Sequence, residues 1–177
     1  MNNDEDIIIS YGKRMLLQMA IVFVVSMMIG MVLRIPEKVI IFLVCLMTLR
    51  HNAGGVHMSS RIGCAIISLV LFVASAFFIK YVDVPYGIQM VTMSVSSLCI
   101  VAIAPVDNAN NRLEDDERLL IRNRMIYILA TKSIAFMVLY LLKLYQYSKL
   151  IVLATFMTCI LVLIGKLTNL IKRGETE

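Results

Sequence analysis

Both histidines of the chain, His51 and His57, lie in one polar stretch, Arg50-His-Asn-Ala-Gly-Gly-Val-His-Met-Ser-Ser-Arg-Ile-Gly-Cys64, with apolar runs on either side. A cysteine near a histidine can do nucleophilic chemistry. The thiolate is the reactive form, and a free thiol titrates near pKa ~8.5, so a neighbouring imidazole that takes the proton activates it. On one unbroken helix His57 and Cys64 would share a face but stand about 10.5 Å apart along the axis. That exceeds hydrogen-bond reach. A working pair therefore requires the backbone to turn between them, and Gly54, Gly55 and Gly63 permit such geometry. The chemistry available to the pair is attack on a peptide carbonyl, with a thioester acyl-enzyme as the intermediate. The developing oxyanion needs donors, and backbone amides around Gly63 and Cys64, where an apolar span begins, are candidates. The positive end of that helix dipole would also lower the Cys64 pKa.

The spacing of Arg50, Gly54-Gly55, His57 and Cys64 resembles the signature of the accessory gene regulator B (AgrB) family, integral-membrane cysteine endopeptidases of Gram-positive quorum sensing. A second matching stretch is Ala104-Pro105-Val106-Asp107, which opens the polar loop after the fourth apolar run. The resemblance implies that Cys64 is the nucleophile and His57 its base. It implies a small pro-peptide substrate, AgrD-like, cleaved near its C-terminus. It also implies that a side-chain thiol or hydroxyl of the bound fragment attacks the thioester and closes a thiolactone or lactone ring, the precursor of a secreted autoinducer. A site that favours cyclisation over hydrolysis must exclude water.

Composition requires a membrane. The chain has 177 residues, 60% of them hydrophobic, with a formal net charge of +5; its mean hydropathy is +0.85. Soluble domains run about 45–50% apolar. Trp is absent and Met abundant at 13, the latter mainly in apolar runs as packing or lipid-facing residues. The cysteines Cys45, Cys64, Cys99 and Cys159 form no CxxC. Three lie inside apolar runs and read as buried hydrophobes, whereas Cys64 sits at a polar–apolar boundary.

The expected fold is all-α: a polytopic integral membrane protein of about six transmembrane helices, in a single domain over residues 1–177. The spans read from the apolar runs are 15–33, 39–49, 64–79, 88–104, 125–142 and 150–164. The second has eleven residues where a normal span has about twenty, so it reads as short or tilted. Ser and Thr in the fourth span are expected to hydrogen-bond across helices. Lys132 is expected to snorkel to the surface from the fifth. Tyr145 and Tyr147 suit an interface. Residues 1–14 lack a basic start and a small-residue cleavage site, so no cleaved signal is expected.

Counting basic residues, Lys13, Arg14, Arg50, Arg61, Arg112, Arg118, Arg122, Arg124, Lys166, Lys172 and Arg173 fall on one side. Arg34, Lys38, Lys80, Lys143 and Lys149 fall on the other. The positive-inside rule puts both termini and the 50–64 segment on the cytoplasmic side of the cell membrane, the side of a cytosolic substrate. Around the pair, Arg50 offers a fork for a carboxylate or anchors a helix end. Asn52 and Asp107 are chemically able to orient His57, Asp107 equally able to cap a loop. Arg112, Arg118 and Arg122 could receive an acidic peptide tail, or set topology and pair with Glu114 to Glu117.

Competing classes are a transporter with His57 and Lys132 as pathway groups, an assembly protein in which His57 and Cys64 are incidental, and a metal site. No paired repeat supports the first. The third lacks zinc spacing between His51 and His57, and neither HExxH nor GxSxG occurs. The expected partners are the AgrD-like pro-peptide and the lipid bilayer, with a homodimer allowed. No cofactor, metal or nucleic acid is expected.

Overall fold

The computed structural model describes Leu17 and residues 20–53, 61–104 and 115–174, with side chains over 20–50, 69–104 and 119–168. Among these residues there are six helices and no strand: α1 Ala20–Val32, α2 Pro36–Ala53, α3 Arg61–Tyr81, α4 Tyr86–Ile103, α5 Asp115–Leu141 and α6 Tyr145–Gly174. Three stretches are long and apolar enough to cross a membrane, Tyr86–Ile103, Leu119–Leu141 and Tyr145–Thr168. The apolar helical segments described in α1 and α3, Ala20–Val32 and Leu69–Tyr81, are shorter.

Helices α2 to α6 run longer than the apolar runs that announced them. The run 39–49 becomes the 18-residue α2, started by Pro36 at its first position with Glu37 in the first turn. It carries on through Arg50 and into residues 51–53. The polar segment before Met125 is already helical from Asp115, so α5 has 27 residues. The turn read at 143–149 shrinks to Leu142–Leu144, and α6 runs 30 residues. Hydrophobicity marks what is buried or in lipid, whereas the backbone ladder stops only where a turn stops it.

Two of those stops share one construction. Arg34, with φ 58°, and Lys143, with φ 59°, occupy the left-handed region. The Arg34 amide bonds Met31 O at 3.0 Å and the Ile35 amide reaches back to Gly30 O at 2.9 Å. The Lys143 amide bonds Tyr140 O and the Leu144 amide Leu139 O, both at 2.9 Å. Each is a Schellman ending with a cation where glycine is usual and an aliphatic residue after it. The next helix follows almost at once.

The chain forms two compact units, Met1–Val39 with Met58–Lys80, and Ile40–His57 with Tyr81–Glu177. In the first, α1 buries the small residues Ser26 and Gly30. A Cβ on Gly30 would stand 3.0 Å from Val39 Cγ2 and 3.4 Å from Pro36 Cα, so the α1–α2 turn closes on a missing side chain. In α3, Phe72, Ser75, Ala76 and Ile79 make one buried face at helical spacing.

The second unit is a three-helix core with α2 against it, and its layers keep strict register. Ser148 Oγ donates to Gln89 Oε1 at 2.7 Å, a separation of 59 residues. Met93 with Val152, Ile100 with Cys159 and Ile103 with Val162 keep that same offset within two apolar clusters. Helices α4 and α6 are therefore parallel and in step. Helix α5 runs antiparallel to both: Phe136 shares the cluster of Met93 and Val152, whereas Leu129 and Met125 share that of Ile100 and Ala104.

The end of this unit at Tyr86 is tied by side chains. Gln89 Nε2 donates to Val84 O at 2.9 Å, Lys149 Nζ to Val82 O at 2.7 Å and Gln146 Nε2 to Asp83 Oδ1 at 2.8 Å. Lys149, which the sequence left in the turn between the fifth and sixth spans, is buried. Tyr86 stacks on Tyr140 with ring centroids 3.7 Å apart, and Phe136 and Tyr145 flank the pair at 6.0 and 5.9 Å. In α4, the hydroxyl of Ser94 does not cross to another helix as the sequence suggested. It returns to Met90 O, four residues back.

Two stability outcomes follow from this packing. Lys143→Gly relieves a left-handed side chain, a strain worth about 1 kcal/mol, and is expected to raise the thermal midpoint of the detergent-solubilised protein. A lowered midpoint would mean that the lysine side chain holds the turn. Ser148→Ala leaves the buried Gln89 carbonyl oxygen without its donor and is expected to cost about 1–3 kcal/mol. Ser148→Ala with Gln89→Leu is expected to recover most of that loss, read in the same melts.

Candidate active site

Helix α2 delivers Arg50, half-buried, three residues before its last helical position, Ala53. Asn52 lies in that last turn by its backbone. Gly54, Gly55 and His57 lie outside the described residues. The chain resumes as α3 at Arg61, so Cys64 is the fourth residue of that helix; its side chain too is outside the described set. In an α-helix that starts there, the amides of Arg61, Ile62 and Gly63 have no acceptor within the helix. Cys64 therefore sits at the end of a first turn rich in free donors and at the positive end of the dipole. A thiolate there is favoured over one in mid-helix, and amides of this kind suit an oxyanion.

Asp107 and Arg112 also lie outside the described residues. Arg118 is in the first turn of α5, where its helical position alone is described. Arg122 and Arg124 are exposed on the next turn. Four residues separate Arg118 from Arg122, so the two positions share one face of α5, a basic edge leading into the membrane-length segment.

Lys132 overturns its sequence reading. Seven residues past the start of an apolar run, it was expected to snorkel. The helix starts instead at Asp115, and Lys132 lies about 13 Å along the axis from Leu141, the nearer end of the Leu119–Leu141 stretch. It is 7% exposed, and its Nζ donates to the backbone carbonyl of Cys45 in α2. A sequence signal was present. Met125, Leu129, Lys132 and Phe136 form one stripe at steps of four, three and four, with a lysine where that face requires an apolar residue.

Of the cysteines other than Cys64, Cys159 is buried and Cys45 and Cys99 half-buried, all three as free thiols. Among the described residues no three His, Cys, Asp or Glu side chains group to hold a metal ion.

Comparison with known proteins places these features. A family model described as accessory gene regulator B matches residues 1–162, which takes in both the Arg50–Cys64 stretch and Ala104–Asp107. An AgrB-like protein of Clostridium acetobutylicum is 31% identical over 90 residues, 51% of this chain and 41% of that protein. The match thus spans less than half the length of that relative. No solved structure matches the chain.

Proposed function

Because the chain belongs to the accessory gene regulator B family, we propose that it is a membrane cysteine endopeptidase that cleaves and cyclises a small quorum-sensing pro-peptide. The observation that carries this reading is the family match across both motif stretches, with Cys64 in a helix's first turn as its physical support. His57 takes the thiol proton, and the Cys64 thiolate attacks the carbonyl of the scissile peptide bond. First-turn amides hold the oxyanion of the tetrahedral intermediate. The C–N bond breaks, the leaving amine takes the proton from His57, and the N-terminal fragment stays on Cys64 as a thioester. A side-chain thiol or hydroxyl of that fragment, deprotonated by His57, then attacks the thioester carbonyl. The ring closes and Cys64 leaves as thiolate, to be reprotonated.

Both termini and the 50–64 segment face the cytoplasm in this reading, where an amphipathic pro-peptide lying on the inner surface meets them. Arg50, Arg112 and the basic edge of Arg118 and Arg122 receive acidic groups of the peptide by bidentate contacts. Asp107 supports the site from the loop after α4.

Cys64→Ala and His57→Ala are each expected to abolish pro-peptide cleavage while the protein still accumulates in the membrane, read by immunoblot of the peptide in cells carrying both. Cys64→Ser should lose most activity, since a hydroxyl is far harder to ionise. Alanine at Cys45, Cys99 or Cys159 should leave cleavage in place. Normal cleavage by Cys64→Ala would end the proposal, and chelator inhibition restored by zinc would replace it with metal chemistry. The basic edge has its own readout. Arg118→Glu with Arg122→Glu should raise the apparent KM more than it lowers kcat, and added salt should do the same to the parent protein. A change confined to membrane insertion would make these arginines topology signals alone.

A further inference from the structure

The layers of the second unit leave one level that is neither apolar nor neutralised. Between the cluster holding Met93, Phe136 and Val152 and the cluster holding Ile100, Leu129 and Cys159, register sets three polar residues level with one another. They are Ser96 on α4, Lys132 on α5 and Thr155 on α6, and all three are buried. Helix α2 contributes the Cys45 carbonyl.

The lysine at this level has more donors than acceptors. Its ammonium carries three N–H groups, and among the described residues it has one acceptor, a neutral carbonyl. That carbonyl also lies 3.1 Å from the Thr48 hydroxyl, whose shorter bond goes to Val44 O at 2.8 Å, and Cys45 O is positioned for the amide four residues on in α2. The Thr155 hydroxyl is turned to Ile151 O at 2.8 Å. Next to Ser96, the Ser97 oxygen is buried with no hydrogen-bond partner among the described residues. This stands out because Ser75, Ser94, Thr131, Ser133 and Thr158 all bond the carbonyl four residues back. The described acidic side chains are elsewhere: Glu37 in the first turn of α2, and Asp83 bonded to Gln146 before α4. A cation inside an apolar layer without an anion is unfavourable, and ionisable residues at such depth pair with an opposite charge or serve a ligand.

We propose that Lys132, with the Ser96 hydroxyl at its level and the Ser97 hydroxyl next in sequence, is a binding site for a single carboxylate carried on an apolar chain. One cation matches one negative charge, so a dianion such as phosphate is disfavoured. The apolar clusters on both sides suit a ligand whose body is hydrocarbon or apolar side chains. The carboxylate can be that of a free acyl chain or the carboxyl end of an apolar peptide. The site uses none of the residues assigned to cleavage, and its occupancy requires no turnover.

The test uses the full chain in nanodiscs and two matched pairs of probes: decanoate against decanol, and an apolar pentapeptide with a free C-terminal carboxylate against its amide. Binding is followed by calorimetry and by the shift in thermal midpoint. At least one acid is expected to bind and its neutral analogue not to. Lys132→Met should weaken acid binding by roughly thirtyfold or more, the usual effect of removing one partner of a buried charge pair. Lys132→Arg should retain most of it, and Ser96→Ala should weaken it several-fold. Binding at an interior site should change little with added salt. Response to decanoate alone assigns the site to acyl carboxylates, and response to the peptide acid alone assigns it to peptide ends. Equal binding of acid and neutral analogue, or acid binding that survives Lys132→Met, overturns the proposal and leaves Lys132 as a tie between α5 and α2. So does acid binding that added salt abolishes. If Lys132→Met does not fold, the acid–neutral comparison, the salt response and Ser96→Ala decide between the same outcomes.

Discussion

A polar group inside hydrocarbon has no water to turn to, and the rest of this structure is arranged around that constraint. It makes the chain helical, since helices satisfy their own backbone. It also governs the side chains. Hydroxyls on α2 to α6 bond the carbonyl one turn back, as Thr48, Ser75, Thr155 and Thr168 do. Polar groups too long for that route are matched across helices: Gln89 with Ser148 and with Val84 O, Lys149 with Val82 O. Measured against this background the Lys132 layer is conspicuous, because one of its members carries a full charge and none of the others does.

The apolar runs revealed where helices are, because burial and lipid contact both demand hydrophobic residues. They underestimated helix length, because charged and amide residues at helix ends keep the backbone ladder while leaving the apolar face. Pro36 and Glu37 lengthened α2 in this way, Asp115 to Arg124 lengthened α5, and Tyr145 to Lys149 lengthened α6. The Lys132 reading failed for the same reason. Its distance was counted from the edge of hydrophobicity at Met125 and not from the start of the helix. Lys149 was left in the turn because a lysine ends an apolar run, whereas its partner, a backbone carbonyl in a segment far away in sequence, leaves no trace in composition.

The candidate site was legible as chemistry and not as geometry. Residue types and spacing singled out His57 and Cys64, and the family match covers both. The sequence from Gly54 to Ser60 is glycine and polar residues, which permit a turn without encoding which turn. The sequence started the third span at Cys64, and α3 begins three residues earlier, at Arg61. With that start comes the one physical feature that favours a thiolate at Cys64, a place in a helix's first turn.

The shared register of α4, α5 and α6 has an evolutionary consequence. Because α4 and α6 are in step and α5 opposes both, a single residue inserted between Leu129 and Phe136 would turn half of α5 by about 100° relative to both neighbours. Compensation would then require matching insertions in two other helices. Substitutions can be accepted one at a time in this core, but length changes cannot. The three-residue turn at Lys143 is bound by the same condition, since it sets the phase between α5 and α6. Among descendants of this sequence, drift in these helices should run through spelling and not through length.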